Sequence, residues 1–193
     1  YLYFGKIFNV HICDGDAIIE GNTIYIFVCD YTGGGPSAGI RRFSISVSDF
    51  LAKNFGAAVD DGLIIAGSNV RGVDLLWDDS GFWYLTVQHG DGNHYLYKIS
   101  SLAGTPTLLG KIKGVQGIGT EHLNLVDKEN GLIHALLAAS GGNNFCDYYI
   151  INPSTLSAIK KERYYVDPNF TISETYYPVF ESRRLFAPYI SYR

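Results

Sequence analysis

Apolar residues in this chain fall in short dense runs, each preceded by a shorter alternating segment and a polar turn, and the whole unit recurs. The copies read HICDGDAIIEGNTIYIFVCD from His11, GVDLLWDDSGFWYLTVQH from Gly72, TEHLNLVDKENGLIHALLAAS from Thr120 and SETYYPVFESRRLFAPYIS from Ser173. The dense runs open near Thr23, Phe82, Leu132 and Leu185, roughly 50 to 60 residues apart, the period of propeller blades and comparable repeats. Turn residues that tolerate left-handed backbone geometry separate the two halves of each unit: Glu20-Gly21-Asn22, Asp78-Asp79-Ser80-Gly81 and Asp127-Lys128-Glu129-Asn130-Gly131. Each unit therefore predicts a hairpin. Its second strand, as in TIYIFV and FWYLTV, is apolar at nearly every position, as a strand covered on both faces requires.

Outer strands should alternate instead, and GIRRFSISV from Gly39 and HYLYKIS from His94 do so, while DYYIINPSTLSAIKK from Asp147 carries an Asn-Pro turn into a final, more polar strand. SVSDFLAKNF at 46–55 suits a helical turn or two inserted in a loop. The pattern predicts an all-β, β-propeller-like domain of about four repeated antiparallel blades, a closed small ring or a fragment of a larger propeller. Residues 1–10 form an outer strand, 11–66, 67–115 and 116–167 form blades, and 168–193 form a partial blade.

Composition agrees. Apolar residues make up 47% of 193 and charged residues 18%, while 15 Tyr and 11 Phe enrich the chain in side chains that suit a pleated surface, so it should fold rather than stay disordered. A net charge of −4 supplies no basic footprint for nucleic acid, and Lys160-Lys161 and Arg183-Arg184 are only short pairs. No apolar run approaches the ~20 residues of a spanning helix, so membrane insertion is not expected. The chain starts at Tyr1 and contains no Met, as a processed mature chain or a piece of a longer one would.

Cys13 and Cys29 flank the first hairpin. Pairing Ile19 with Thr23 around a three-residue turn would set the two cysteines opposite each other, close enough for a disulfide, and the alternative is two buried thiols. Cys146 sits in a Gly-Asn-rich stretch without an evident partner.

In a propeller the loops between second and third strands gather on one face with the starts of the first strands. That face would collect His11, Asp30, His89, Asp91, His94, His122, Asn143 and Asn144, polar groups beside glycine-rich loops that could orient a ligand. His89, Asp91 and His94 form the tightest cluster. They could coordinate a divalent metal, although HGDGNH is also an ordinary solvated turn, and no other cofactor is implied. His134 lies inside an apolar strand, where a hydrogen-bonded core role is expected. Acidic residues stand at the starts of the first strands: Asp14 with Asp16, Asp74, Glu121 and Glu174. Converging carboxylates of this kind could act as base, acid and electrostatic tuner, or could cap turns and keep sheet edges soluble.

VDLLWDDSGFWYLTV resembles a blade segment of the five-bladed family 43 glycosidases, in which an aspartate opens a strand leading to an acidic-glycine turn and an aromatic strand. CDGDAIIEGNTIYIFV is similar to their opening blade and TEHLNLVDKENGLIHALL to the blade bearing the acid. The resemblance implies Asp14 or Asp16 as base, Asp74 as tuner and Glu121 as acid. The proline that follows the aspartates in that family is absent here, and so is a fifth blade.

No triad, phosphate loop or dinucleotide fingerprint occurs. The residues taken by themselves thus point to a noncatalytic module, extracellular or surface-exposed, that binds a sugar or protein ligand through its loop-rich face. The alternatives are a glycoside hydrolase using channel-mouth carboxylates and a structural subunit of an extracellular or viral assembly completed by a neighbour. An open edge strand would permit self-assembly. Deleting Tyr1 to Phe8 is expected to expose such an edge, so that size-exclusion chromatography shows aggregation or the melting transition disappears. A monomer with the original midpoint would refute that role.

Overall fold

The computed structural model of the chain describes residues 12–30, 38–115, 123–138, 145–165, 180–181 and 184–185. Strands β1 (Ile12–Glu20), β2 (Thr23–Asp30), β3 (Gly39–Ser46) and β4 (Val59–Ala66) form one antiparallel meander, paired in sequence order. Strands β5 (Arg71–Asp78), β6 (Phe82–Gln88), β7 (His94–Ile99) and β8 (Thr107–Lys111) form a second, and β9 (Leu123–Glu129), β10 (Leu132–Ala138), β11 (Phe145–Asn152) and β12 (Ser157–Tyr165) a third. A short pair, β13 (Phe180–Glu181) and β14 (Arg184–Leu185), follows. The chain is thus all-β, with repeated blade-like sheets as a propeller has. The expected helical turn is present as α1 (Val47–Leu51), with the Ser46 hydroxyl accepting the Asp49 N–H at its N-terminus. It buries no residue and ends within five.

The turns follow their sequences. Asn130 and Gly131 both have positive φ in a two-residue loop, and Gly81 closes a three-residue loop at φ 87°. The first hairpin differs from expectation in an instructive way. Glu20 pairs with Thr23, so the turn has two residues and the register is one residue away from the predicted one. A bulge at Asp14 takes up that residue, and Cys13 still stands opposite Cys29, the facing register that a bridge would need. Gly15, beside the bulge, lies so close to the Phe27 carbonyl that a Cβ would sit 2.4 Å from that oxygen.

The sheets stack through two apolar layers. Between the first and second lie Phe27, Ile40, Val73, Leu85 and Val87, and between the second and third Leu96, Leu123, Leu125, Ile133 and Tyr149. First strands β1 and β5, and β5 and β9, run beside each other. The apolar first and second strands mark Trp77, Trp83, Tyr84, Leu85, Tyr25, Phe27, Leu136 and Leu137 for the core; of these Phe27, Tyr84, Leu85, Leu136 and Leu137 are buried, and Tyr25 and Trp83 pack against it. Trp77 does not belong there. It shares the face of Leu75 but stands at the turn end of β5, where its ring meets Trp83 edge-on at 5.0 Å, and it stays 44% exposed. Cys146 lies in β11 rather than in a loop, buried and without a disulfide, and burial pushes its thiol up to about 11. His134 bonds the Tyr148 hydroxyl, as its place in an apolar strand suggested.

Outer strands β4, β8 and β12 each pair on one side only among the described residues, and they expose Val59, Leu108 and Ile159. The predicted strand at 1–10 and most of the fourth unit lie outside the described residues.

Leu85→Ala removes a fully buried side chain from the first apolar layer and is expected to cost about 2–5 kcal/mol. Trp77→Ala should cost clearly less. Denaturant midpoints at constant m-value compare the two, and equal losses would refute the layered core.

Candidate functional site

Among the described residues each four-stranded sheet's first strand has a neighbour on only one side within its own sheet, so N–H groups on its other edge need partners elsewhere. In the second and third sheets the preceding sheet supplies a partner for one of them. Asp16 on β1 accepts the N–H of Leu75 on β5 through Oδ2 at 3.1 Å, while its Oδ1 accepts the N–H of Ala17 at 2.7 Å. Asp74 on β5 accepts, through its own Oδ2, the N–H of Leu125 on β9. Asp16 thus reaches the residue after Asp74, and Asp74 reaches the residue after Asn124.

The registers make these three positions equivalent. Asp16 faces Phe27, Asp74 faces Thr86 and Asn124 faces Leu136, each in the middle of its own second strand. Sequence reasoning missed Asn124 because it looked only for acids. The signal was available, since Asp74 and Asn124 each stand seven residues before a turn glycine, Gly81 and Gly131. Asp14 occupies a different place, at a bulge two residues before Asp16, where β5 carries its own bulge at Gly72.

Asp74 is 5% exposed. Burial is the chief influence that raises its carboxyl well above the usual range, and the Asp16 charge raises it further, while the N–H groups of Leu125 and Leu75 pull the other way. A buried carboxyl beside a second, more exposed one is the arrangement that separates the protonation states of two acids.

Four of the ligand-binding and metal candidates, Asp30, His89, Asp91 and His94, lie among the described residues. Asp30 is buried in an ion pair with Arg41 at 2.7 Å, which makes it part of the sheet rather than of an open face. His89 bonds the Tyr97 hydroxyl at 2.7 Å and stacks on that ring, and burial lowers its pKa. Asp91 accepts the Asn93 N–H and the Tyr95 hydroxyl, each at 2.9 Å, and the bonds from Asn93 chiefly hold it at about 2. His94 is buried opposite Gln88. Among the described residues no group of three His, Cys, Asp or Glu is arranged to hold a metal ion, because HGDGNH spends its side chains on its own turn and on the sheet. His11, Glu121, His122, Asn143, Asn144 and Glu174 lie outside the described residues. No helix among the described residues is long and apolar enough to cross a membrane.

No protein-family model matches the chain, and no curated protein sequence matches it. Solved structures do. The chain is similar to an exo-β-1,3-galactanase from Clostridium thermocellum, 13% identical, with 81% of this chain and 38% of that one covered at a TM-score of 0.59. It is similar to an α-L-arabinofuranosidase from the same organism, 14% identical, covering 87% and 59% at a TM-score of 0.59. The catalytic domain of a Coprinopsis cinerea GH62 α-L-arabinofuranosidase, 14% identical, matches over 86% of this chain and 53% of that one at 0.58. The chain spans less than two thirds of each of these structures. At such identities the likeness to these GH43- and GH62-type glycosidases is a resemblance of fold alone.

Proposed function

We propose that the chain carries blades of a carbohydrate-active enzyme, a glycoside hydrolase of the propeller type, with Asp14 as base, Asp74 as tuner and Glu121 as acid. The observation that carries this reading is the buried Asp74 carboxyl, set between the first strands of three successive sheets and acted on by Asp16. Likeness of fold to a galactanase and to arabinofuranosidases supports it. Between Asp14 and Asp16, the base role goes to Asp14. Asp16 commits one oxygen to Leu75 and the other to Ala17, which leaves Asp14, the other acid of the same strand, for the base. Glycosidic cleavage then needs the acid to protonate the leaving oxygen while the base activates water or attacks directly. A separation of about 6.5–9.5 Å between the two groups gives inversion, and about 5–5.5 Å gives retention.

A second reading, a noncatalytic sugar-binding module, draws on one feature: the latch uses Asp16 and Asp74 structurally whether or not a bond is cleaved. Hydrolysis of aryl galactosides, arabinofuranosides and xylosides, measured beside glycan-array binding, separates the two. Asp14→Asn is expected to abolish hydrolysis and leave binding and melting temperature in place. Binding without any turnover by the unmodified chain would establish the noncatalytic module.

The state of Asp74 has its own signature. Its folded-state pKa lies above the unfolded value, so the stability it contributes is fully present below the unfolded pKa and is lost as pH rises through the folded one. Asp74→Asn retains an oxygen for the Leu125 N–H and removes the titration. The melting temperature of the unmodified chain minus that of the variant is expected to fall as pH rises above the ordinary aspartate pKa of about 4. A difference that does not change with pH would refute the raised carboxyl.

A further inference from the structure

Asp16, Asp74 and Asn124 occupy one equivalent position on three successive first strands, and the second stands to the third as the first stands to the second. In each step an Oδ2 reaches the backbone N–H of the residue following the next member. Where both members of a step are acids, the first charge acts on the second, as Asp16 does on Asp74. An aspartate at 124 would stand beside Asp74 as Asp74 stands beside Asp16. Asp74 would then be flanked by a carboxylate on each side, in a site where water screens little. Position 124 is itself 6% exposed, so a charge there would also lose its solvation. Asparagine has the same shape and an acceptor oxygen, and brings no charge.

We propose that Asn124 is a positioning residue, the neutral third member of the inter-sheet latch, whose lack of charge leaves Asp74 with a carboxylate at the equivalent position on one side only, Asp16, and so sets the ionisation of Asp74. This deepens the reading of Asp74 as tuner. The other elements packed on β5 leave that assignment intact. β6 has no charged residue and sets Thr86 opposite Asp74, its hydroxyl donating to the Leu123 carbonyl at 2.8 Å. β2 carries Asp30 and β3 carries Arg41 and Arg42, and these are paired, Asp30 with Arg41 at 2.7 Å and Arg42 with Asp61 at 2.9 Å. β1 offers Asp16, with Asp14 at the bulge two residues before it and Glu20 at the far end bonded to Ser101. On β9, Asp127 and Glu129 lie at the exposed end, and Lys128 bonds Asp78. On β5 itself, Arg71 donates to Asn69.

The test does not pass through catalysis. The carboxyl titration of Asp74 is followed by carbon-13 NMR in the unmodified chain and in Asn124→Asp, Asp16→Asn and the double variant. Asn124→Asp is expected to move the Asp74 midpoint to higher pH, Asp16→Asn to move it lower, and the double variant to return it toward the original. In parallel, Asn124→Asp should lose melting temperature relative to the unmodified chain as pH rises, because the raised carboxyl contributes stability only below its folded pKa. If asparagine serves only as a hydrogen-bond acceptor, aspartate replaces it and the midpoint stays put, which overturns the proposal. Should Asn124→Asp fold at no pH, Asp16→Asn decides: an unchanged midpoint overturns the proposal and a lowered one supports it. An unmodified chain that binds and cleaves no sugar would sink the proposed function, while the titration would still stand or fall on its own result.

Discussion

The structure depends on the bond that an inner-strand carboxylate makes to the backbone of the next sheet. A four-stranded meander leaves its first strand with one bare edge, and that edge faces the interior of the stack. Unpaired N–H groups there would cost about what a lost hydrogen bond costs. Asp16 and Asp74 answer for Leu75 and Leu125, each with a side-chain oxygen that accepts the N–H. The same bonds fix how far one sheet slides along the next, because a shift of one residue would present a carbonyl in place of an N–H.

A second polar layer closes the opposite end of each interface. Glu20 accepts the Ser101 hydroxyl at 2.8 Å and the Leu102 N–H at 3.1 Å, reaching from the first sheet into the second. Asp78, in the corresponding place on β5, is buried and bonds Lys128 of the third sheet. Arg42 adds its guanidinium to the carbonyls of Leu102 and Gly104, at 2.7 and 2.6 Å. Each interface therefore combines an apolar layer with polar contacts at mid-strand and at the turn end. The apolar layer supplies the driving force, and the polar contacts define orientation, since a misplaced buried acid would be left without its partner.

Asp74 has a double duty in this scheme. A carboxyl used as a latch could be ionised and well solvated by donors, yet burial and the neighbouring Asp16 push Asp74 toward the neutral form. The proposed chemistry and the stacking of the sheets would draw on the same side chain. That makes the latch position costly to vary, and it gives a physical reason for an amide in the third place.

Much of the architecture was legible in the sequence, because strand period, turn residues and the repeat are local properties. The three hairpins follow from Gly21, Gly81 and Gly131, and the buried second strands from their unbroken apolar runs. Phe27 and Leu85 were recognisable as core for the same reason. Trp77 was not recognisable as surface, because its exposure depends on where the neighbouring sheet stops covering it. The first hairpin's register also escaped, since a two-residue turn and a bulge at Asp14 offset each other and leave the cysteines where a simpler register would put them. The acids at the strand starts could be named from the chain, but their division of labour could not. Whether an aspartate caps a turn, as Asp91 does, pairs with an arginine, as Asp30 does, or reaches across to another sheet, as Asp16 and Asp74 do, is decided by partners up to 59 residues away. Local sequence sets the strands, and only the stacking of the sheets sets which buried polar groups meet.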